Sequence, residues 1–188
     1  MQTVSSRAGG WSRQARGASL VDAVIASAIV ITVTAGLAQL LVWTRRSAFE
    51  AGTNATALWL AVQKMEQLRS LSWYVDASGL AVSDQTTNLS PDPPSGGGSG
   101  LRPSPADALQ SNTPGYVDYL DGQGRWCGTG RTVPGCAAFV RRWAVAPSAD
   151  DPEILLLGVT VQLTADASAA SPVGRGARLI TRRTRVLR

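Results

Sequence analysis

The sequence has 188 residues, with 18 Lys plus Arg against 13 Asp plus Glu, two cysteines and no histidine. That length suits one ordinary domain with additions, not two large ones. Without imidazole the chain lacks the commonest general base, nucleophile activator and metal ligand, and two cysteines alone do not make a zinc site. A structural role is therefore expected, with no catalytic residues, no metal and no cofactor. The net charge of +5 leaves nucleic acid, a membrane surface or an acidic protein as partner classes, and Lys64 is the single lysine.

Residues 1–17 carry Arg7, Arg13 and Arg16 and no acid. They read as a basic leader closed by the small residue Gly17. The uncharged run from Ala23 to Trp43 makes a helix roughly 30 Å long, the thickness of a bilayer core. It exceeds the usual secretory h-region and ends at an interfacial aromatic followed by Arg45 and Arg46, which marks a retained transmembrane helix. Three leader arginines plus the α-amino group outweigh Arg45 and Arg46 and place the N-terminus in the cytoplasm. Asp22 sits just inside the apolar segment. A carboxylate costs about 2.5–3.5 kcal/mol at a bilayer centre and less near an interface. It either meets a partner charge or caps the helix start at headgroup level.

No proline precedes Pro91, so a helix from about Ala18 to about Trp73 is unobstructed. Gly36 and Gly52-Thr53-Asn54 are weak helix formers at which it is expected to bend or loosen. In its second half Leu58, Ala61, Val62, Met65 and Leu68 share a face, and core packing is the preferred reading of that stripe over a partner groove. Residues 76–115, rich in Ser, Pro and Gly from about residue 81, read as a flexible loop with little capacity to bury a core. Strands are expected at Tyr116–Leu120, Ala138–Val145, Val159–Thr164 and Ala177–Val186, with Val159, Val161 and Leu163 facing one way. Turn signals separate them, which favours an antiparallel sheet with the helix on one face.

Cys127 and Cys136 enclose a short Gly- and Pro-containing loop. A disulfide in an oxidising compartment is the natural reading, ahead of a redox or metal pair, and such a small loop contributes roughly 2–3 kcal/mol. The chain ends in Arg175, Arg178, Arg182, Arg183, Arg185 and Arg188. A solvated strand face is preferred here over a DNA-binding strip, because no aromatic interleaves these arginines to stack bases.

The N-terminal pattern resembles the prepilin cleavage and methylation motif of type IV pilins and of the pseudopilins of type II secretion. That motif has a basic leader ending in Gly, a cut, and an apolar helix with an acid as its fifth residue. Gly17 matches the residue before the cut, Ala18 the new N-terminus and Asp22 the acid. The family usually has Phe where Ala18 stands and Glu where Asp22 stands, and minor subunits vary more at both places. The membrane-half proline common in the family is missing. Lys64-Met65-Glu66-Gln67-Leu68-Arg69 is similar to the helix continuation of PilV-like minor pilins.

The resemblance implies an α+β pilin-like fold: leader 1–17, transmembrane and assembly half 18–43, amphipathic half 44–75, flexible loop 76–115, and small antiparallel sheet domain 116–188. It implies cutting after Gly17 by prepilin peptidase, methylation of the Ala18 amine, and Asp22 as an assembly contact with a neighbour's Ala18 amine. Expected partners are other pilin or pseudopilin subunits, an inner-membrane assembly platform and membrane lipid. The expected location is the bacterial inner membrane with the C-terminal domain outside the cytoplasm, then a pilus or periplasmic filament. The implied function is that of a minor pilin. A type II secretion pseudopilin shares the same N-terminus, and a signal-anchored envelope protein that binds a ligand is the reading from another class.

Overall fold

The computed structural model describes residues 19–86, 98–165 and 176–187. One helix, α1 (Leu20–Ser70), precedes eight strands: β1 (Trp73–Val75), β2 (Ala81–Ser83), β3 (Val117–Leu120), β4 (Trp126–Thr129), β5 (Phe139–Pro147), β6 (Ile154–Leu163), β7 (Gly176–Thr184) and β8 (Val186–Leu187). The architecture is α+β, a long N-terminal apolar helix with mainly antiparallel sheets. Five strands form one sheet in the order β4-β3-β5-β6-β7, and β2-β1-β8 form a second, in which β1 and β8 pair in parallel. The chain divides into two compact units, residues 1–46 and 47–188.

In the first unit every described residue is exposed. The helix is long and apolar enough to cross a membrane. Its hydroxyls need no water: Ser27, Thr32, Thr34 and Thr44 each donate to the carbonyl four residues back, at 2.7–2.9 Å. Such back-bonding satisfies hydroxyl groups where lipid offers no partner. The helix also runs through Gly36 and through Gly52-Thr53-Asn54, against the expectation of loosening there. Around the second site Thr53 and Thr56 donate to Phe49 and Gly52, again within the helix.

In the second unit the helix supplies Ala57, Leu60, Ala61, Met65 and Leu68 to one core with Trp143, Val145, Leu155, Leu157, Val159 and Val161 of β5 and β6. Alternation along these strands gives the inward parity, and Leu163 packs on the same side, as its pattern predicts. The expected helix stripe needs correction. Leu58 and Val62 are 48% and 43% exposed, whereas Leu60 and Lys64 are buried. The inward face is turned toward Lys64 because the sheet offers that ammonium charged and aromatic partners.

The loop expected to bury nothing also departs from expectation over residues 98–115. Leu101 and Ala108 are buried in the main core. Tyr116 Oη donates to the carbonyls of Arg102 and Pro103 at 3.1 and 3.0 Å, and the Ser104 amide donates to Val145 O at 2.8 Å. Two apolar anchors and these bonds hold a polar segment that composition alone reads as loose. Residues 87–97 of the same stretch lie outside the described residues.

The end of the helix is closed from β7. Arg183 donates to the carbonyls of Leu68, at 3.1 Å, and Leu71, groups that a helix terminus leaves without partners. Ser72 N donates to Asp84 Oδ2 at 2.6 Å, which fixes the exit into β1. Arg185 stacks 3.7 Å from the centre of the Trp73 ring and pairs with Glu153 at 3.1 Å. Between β3 and β4, Gly124 takes φ +81° beneath the Trp59 ring, where an added Cβ would press on Trp59 and Leu60.

Cys127 and Cys136 form a disulfide across a sequence separation of 9, with Cα atoms 6.1 Å apart. It pins the loop over Val117, Tyr119 and Val140, a second small cluster on the face away from the helix, and Tyr119 Oη donates to Gly130 O at 3.0 Å. Replacing both cysteines by serine is expected to lower unfolding stability by about 2–3 kcal/mol, read by urea denaturation with and without reductant. The variant's midpoint should then be insensitive to reductant.

Candidate functional site

Gly17 and Ala18, the expected processing site, lie outside the described residues. The helix start after them is defined. Ser19 Oγ accepts the Val21 amide at 3.3 Å, and Asp22 Oδ2 accepts the Ser19 amide at 3.3 Å. This is a reciprocal capping box, which satisfies amides at a helix N-terminus and sets a carboxylate at its positive end. Asp22 is exposed. The capping alternative for Asp22 is thus realised in the single chain, and its carboxylate remains open to solvent or to a neighbour.

A second constellation was not singled out from sequence. Asp118 on β3, Arg141 on β5 and Lys64 on α1 meet where the helix lies on the sheet, at 1%, 6% and 1% exposure. Arg141 grips Asp118 with two bonds, Nε to Oδ1 at 2.9 Å and Nη2 to Oδ2 at 2.8 Å. Its third nitrogen, Nη1, reaches the helix, at 3.1 Å from Leu60 O and 3.0 Å from Gln63 Oε1. Lys64 Nζ stands 3.9 Å from Asp118 Oδ2 and 3.6 Å from the centre of the Trp143 ring. Two cations therefore share one carboxylate, and the ring face takes part of the second charge.

Burial makes the ammonium form of Lys64 costly. Desolvation lowers its pKa to about 8, against the opposing pull of Asp118 and with a smaller push from Arg141. The signal for this cluster was present as parity. On β5 the inward positions are Phe139, Arg141, Trp143 and Val145, and Lys64 falls in step with Leu60, Ala61 and Leu68. A charge in step with core residues on each of two elements marks a buried pair.

The C-terminal arginines divide into two groups. Arg183 and Arg185 are engaged with the helix end and with Trp73 and Glu153. Arg178 and Arg182 are exposed on the outer face of β7. Arg175 and Arg188 lie outside the described residues. Arg142, on β5, is buried and donates to Asn112 Oδ1 and Gln162 Oε1 at 2.9 and 3.2 Å. Among the described residues no cluster of acids and cysteines could hold a metal ion.

Asp118→Asn is expected to destabilise the chain by about 3–5 kcal/mol, because it leaves two buried cations without their carboxylate, whereas Lys64→Met is expected to be neutral or stabilising. Urea unfolding of the full chain in detergent measures both. The pH dependence follows from Lys64. Its folded pKa of about 8 lies below its ordinary value of 10.5, so the unfolded chain binds more protons between them. Stability should therefore rise as pH increases above about 8, by up to about 1.4 kcal/mol per pH unit. That slope should be lost in Lys64→Met.

No protein-family model, curated protein or solved structure matches this chain.

Proposed function

We propose that the chain is a minor subunit of a type IV pilin-like filament, non-catalytic, cut after Gly17 by prepilin peptidase and methylated at Ala18. The observation that carries this reading is the division of labour along one helix. Its first half is apolar, fully exposed and opened by an acid in the first turn, and its second half is the core element of a small sheet domain. Capping gives any anchor a use for this carboxylate; an assembly role adds a partner for its charge in the filament. The disulfide supports a domain outside the cytoplasm, where such bonds persist. Before assembly the subunit is a single-pass inner-membrane protein. In the filament Asp22 exchanges its contact with Ser19 for the Ala18 amine of a neighbour, so that both charges leave lipid together.

The intact mass and N-terminal sequence of the protein from its native membrane test the processing. A chain starting at Ala18 and heavier by one methyl group is the expected result. A chain starting at Met1, or cut beyond Trp43, overturns it. Asp22→Ala should be processed normally yet absent from sheared filaments, while Asp22→Glu should be incorporated. Incorporation of the alanine variant at the normal level would remove the assembly role of Asp22. The filament with which the protein co-purifies separates a pilus from a type II secretion pseudopilus.

A further inference from the structure

We propose that the free edge of β7 takes an extended segment of a second protein, one carrying acidic, apolar and acidic side chains at alternate positions. The proposal stands on the sheet edge alone and does not depend on which filament or envelope structure holds the chain.

β7 (Gly176–Thr184) is the last strand of the five-stranded sheet, and among the described residues its ladder runs to β6 only. Among the described residues its other edge pairs with no strand, and its outward backbone groups, apart from Arg182 O, which accepts from Thr181 Oγ1 at 3.4 Å, are a template for one more strand. The outer face of the strand carries Arg178, Ile180 and Arg182 at alternate positions, all exposed, with Ile180 at 63%. Their neighbours on β6 are Thr160, Gly158 and Leu156, none of which is charged. The guanidinium groups of Arg178 and Arg182 take part in no ion pair or hydrogen bond among the described residues. Arg141, Arg142, Arg183 and Arg185 are all engaged.

The same pattern identifies the occupant. A second copy of β7 paired antiparallel about Ile180 would set Arg178 of one chain opposite Arg182 of the other, and parallel in-register pairing would set each arginine beside itself. Like charges directly opposite destabilise a strand pair, and basic residues on an edge guard against self-association. A strand with Asp or Glu at those two positions and an apolar residue between them reverses the sign of both terms and covers Ile180. Nucleic acid fits less well. It cannot pair with a strand edge, the strand has no aromatic side chain for bases to stack on, and two cations are few for a phosphate backbone.

The test uses the full chain in detergent and a dye-labelled peptide as long as β7 with Glu-Thr-Val-Thr-Glu at its centre. Fluorescence anisotropy measures binding, and amide hydrogen exchange measures protection of β7. The expected result is saturable binding with gained protection along β7. The double variant Arg178→Glu with Arg182→Glu, whose exposed positions leave the core untouched, should weaken binding about tenfold. A Lys-Thr-Val-Thr-Lys peptide should bind that variant better than it binds the original chain. No saturable binding, equal binding of a peptide with its acids adjacent rather than alternate, or binding without β7 protection overturns the proposal. Displacement of the peptide by a short DNA duplex, with no rescue by the lysine peptide, would make the arginines a general anion strip and overturn it likewise.

Discussion

Arg141 and Asp118 form a fork-to-fork pair between adjacent strands, and the third guanidinium nitrogen reaches the helix. Through this contact the sheet and the second half of α1 share one polar centre inside an apolar core. Separating them would strand charges in a dry interior, a far larger penalty than the loss of any single apolar contact there. Direction matters as much as strength. An apolar stripe alone could bury Leu58 and Val62 by a small rotation of the helix. That rotation would withdraw Gln63 from Arg141 and Lys64 from Asp118 and Trp143, so the ionic seam selects one rotation among several that are similarly greasy.

The outline of the fold was legible because its longer elements obey their periods. The proline-free apolar run gave the helix to within a few residues of Leu20–Ser70, and alternation at Val159, Val161 and Leu163 gave the inward face of β6. The strands that escaped notice, β1, β2 and β4, are short; β1 falls where the helix was expected to end and β2 within the expected loop. β2 and β4 pair with the strands just before them, while β1 also takes a partner distant in sequence, β8. The helix stripe was misplaced because it was drawn through apolar residues alone and left out Lys64, whose partners come from strands more than fifty positions away. The packing of residues 98–115 escaped for a related reason. It rests on two apolar anchors, Leu101 and Ala108, within a composition that otherwise reads as loop.

The arginine-rich C-terminus shows how little a charge run says before its side chains are placed. Within β7 and its continuation, neighbours along the chain have opposite duties. Arg183 turns inward to close the helix end while Arg182 points outward. Strand alternation imposes this division, so what reads as one basic tail is a structural clamp interleaved with an exposed face. Replacing one arginine would disturb the fold, and replacing its neighbour would alter only what the surface meets.

The burial of the single lysine also determines how the protein answers to chemistry from outside. Acylating enzymes, amine-directed crosslinkers and aldehyde fixatives all require an accessible amino group, and this chain offers them no lysine while it is folded. A chain built in this way stays silent in lysine crosslinking maps. It becomes visible to reagents that couple carboxylates or guanidinium groups, and to amine reagents at Lys64 once the seam between helix and sheet has opened.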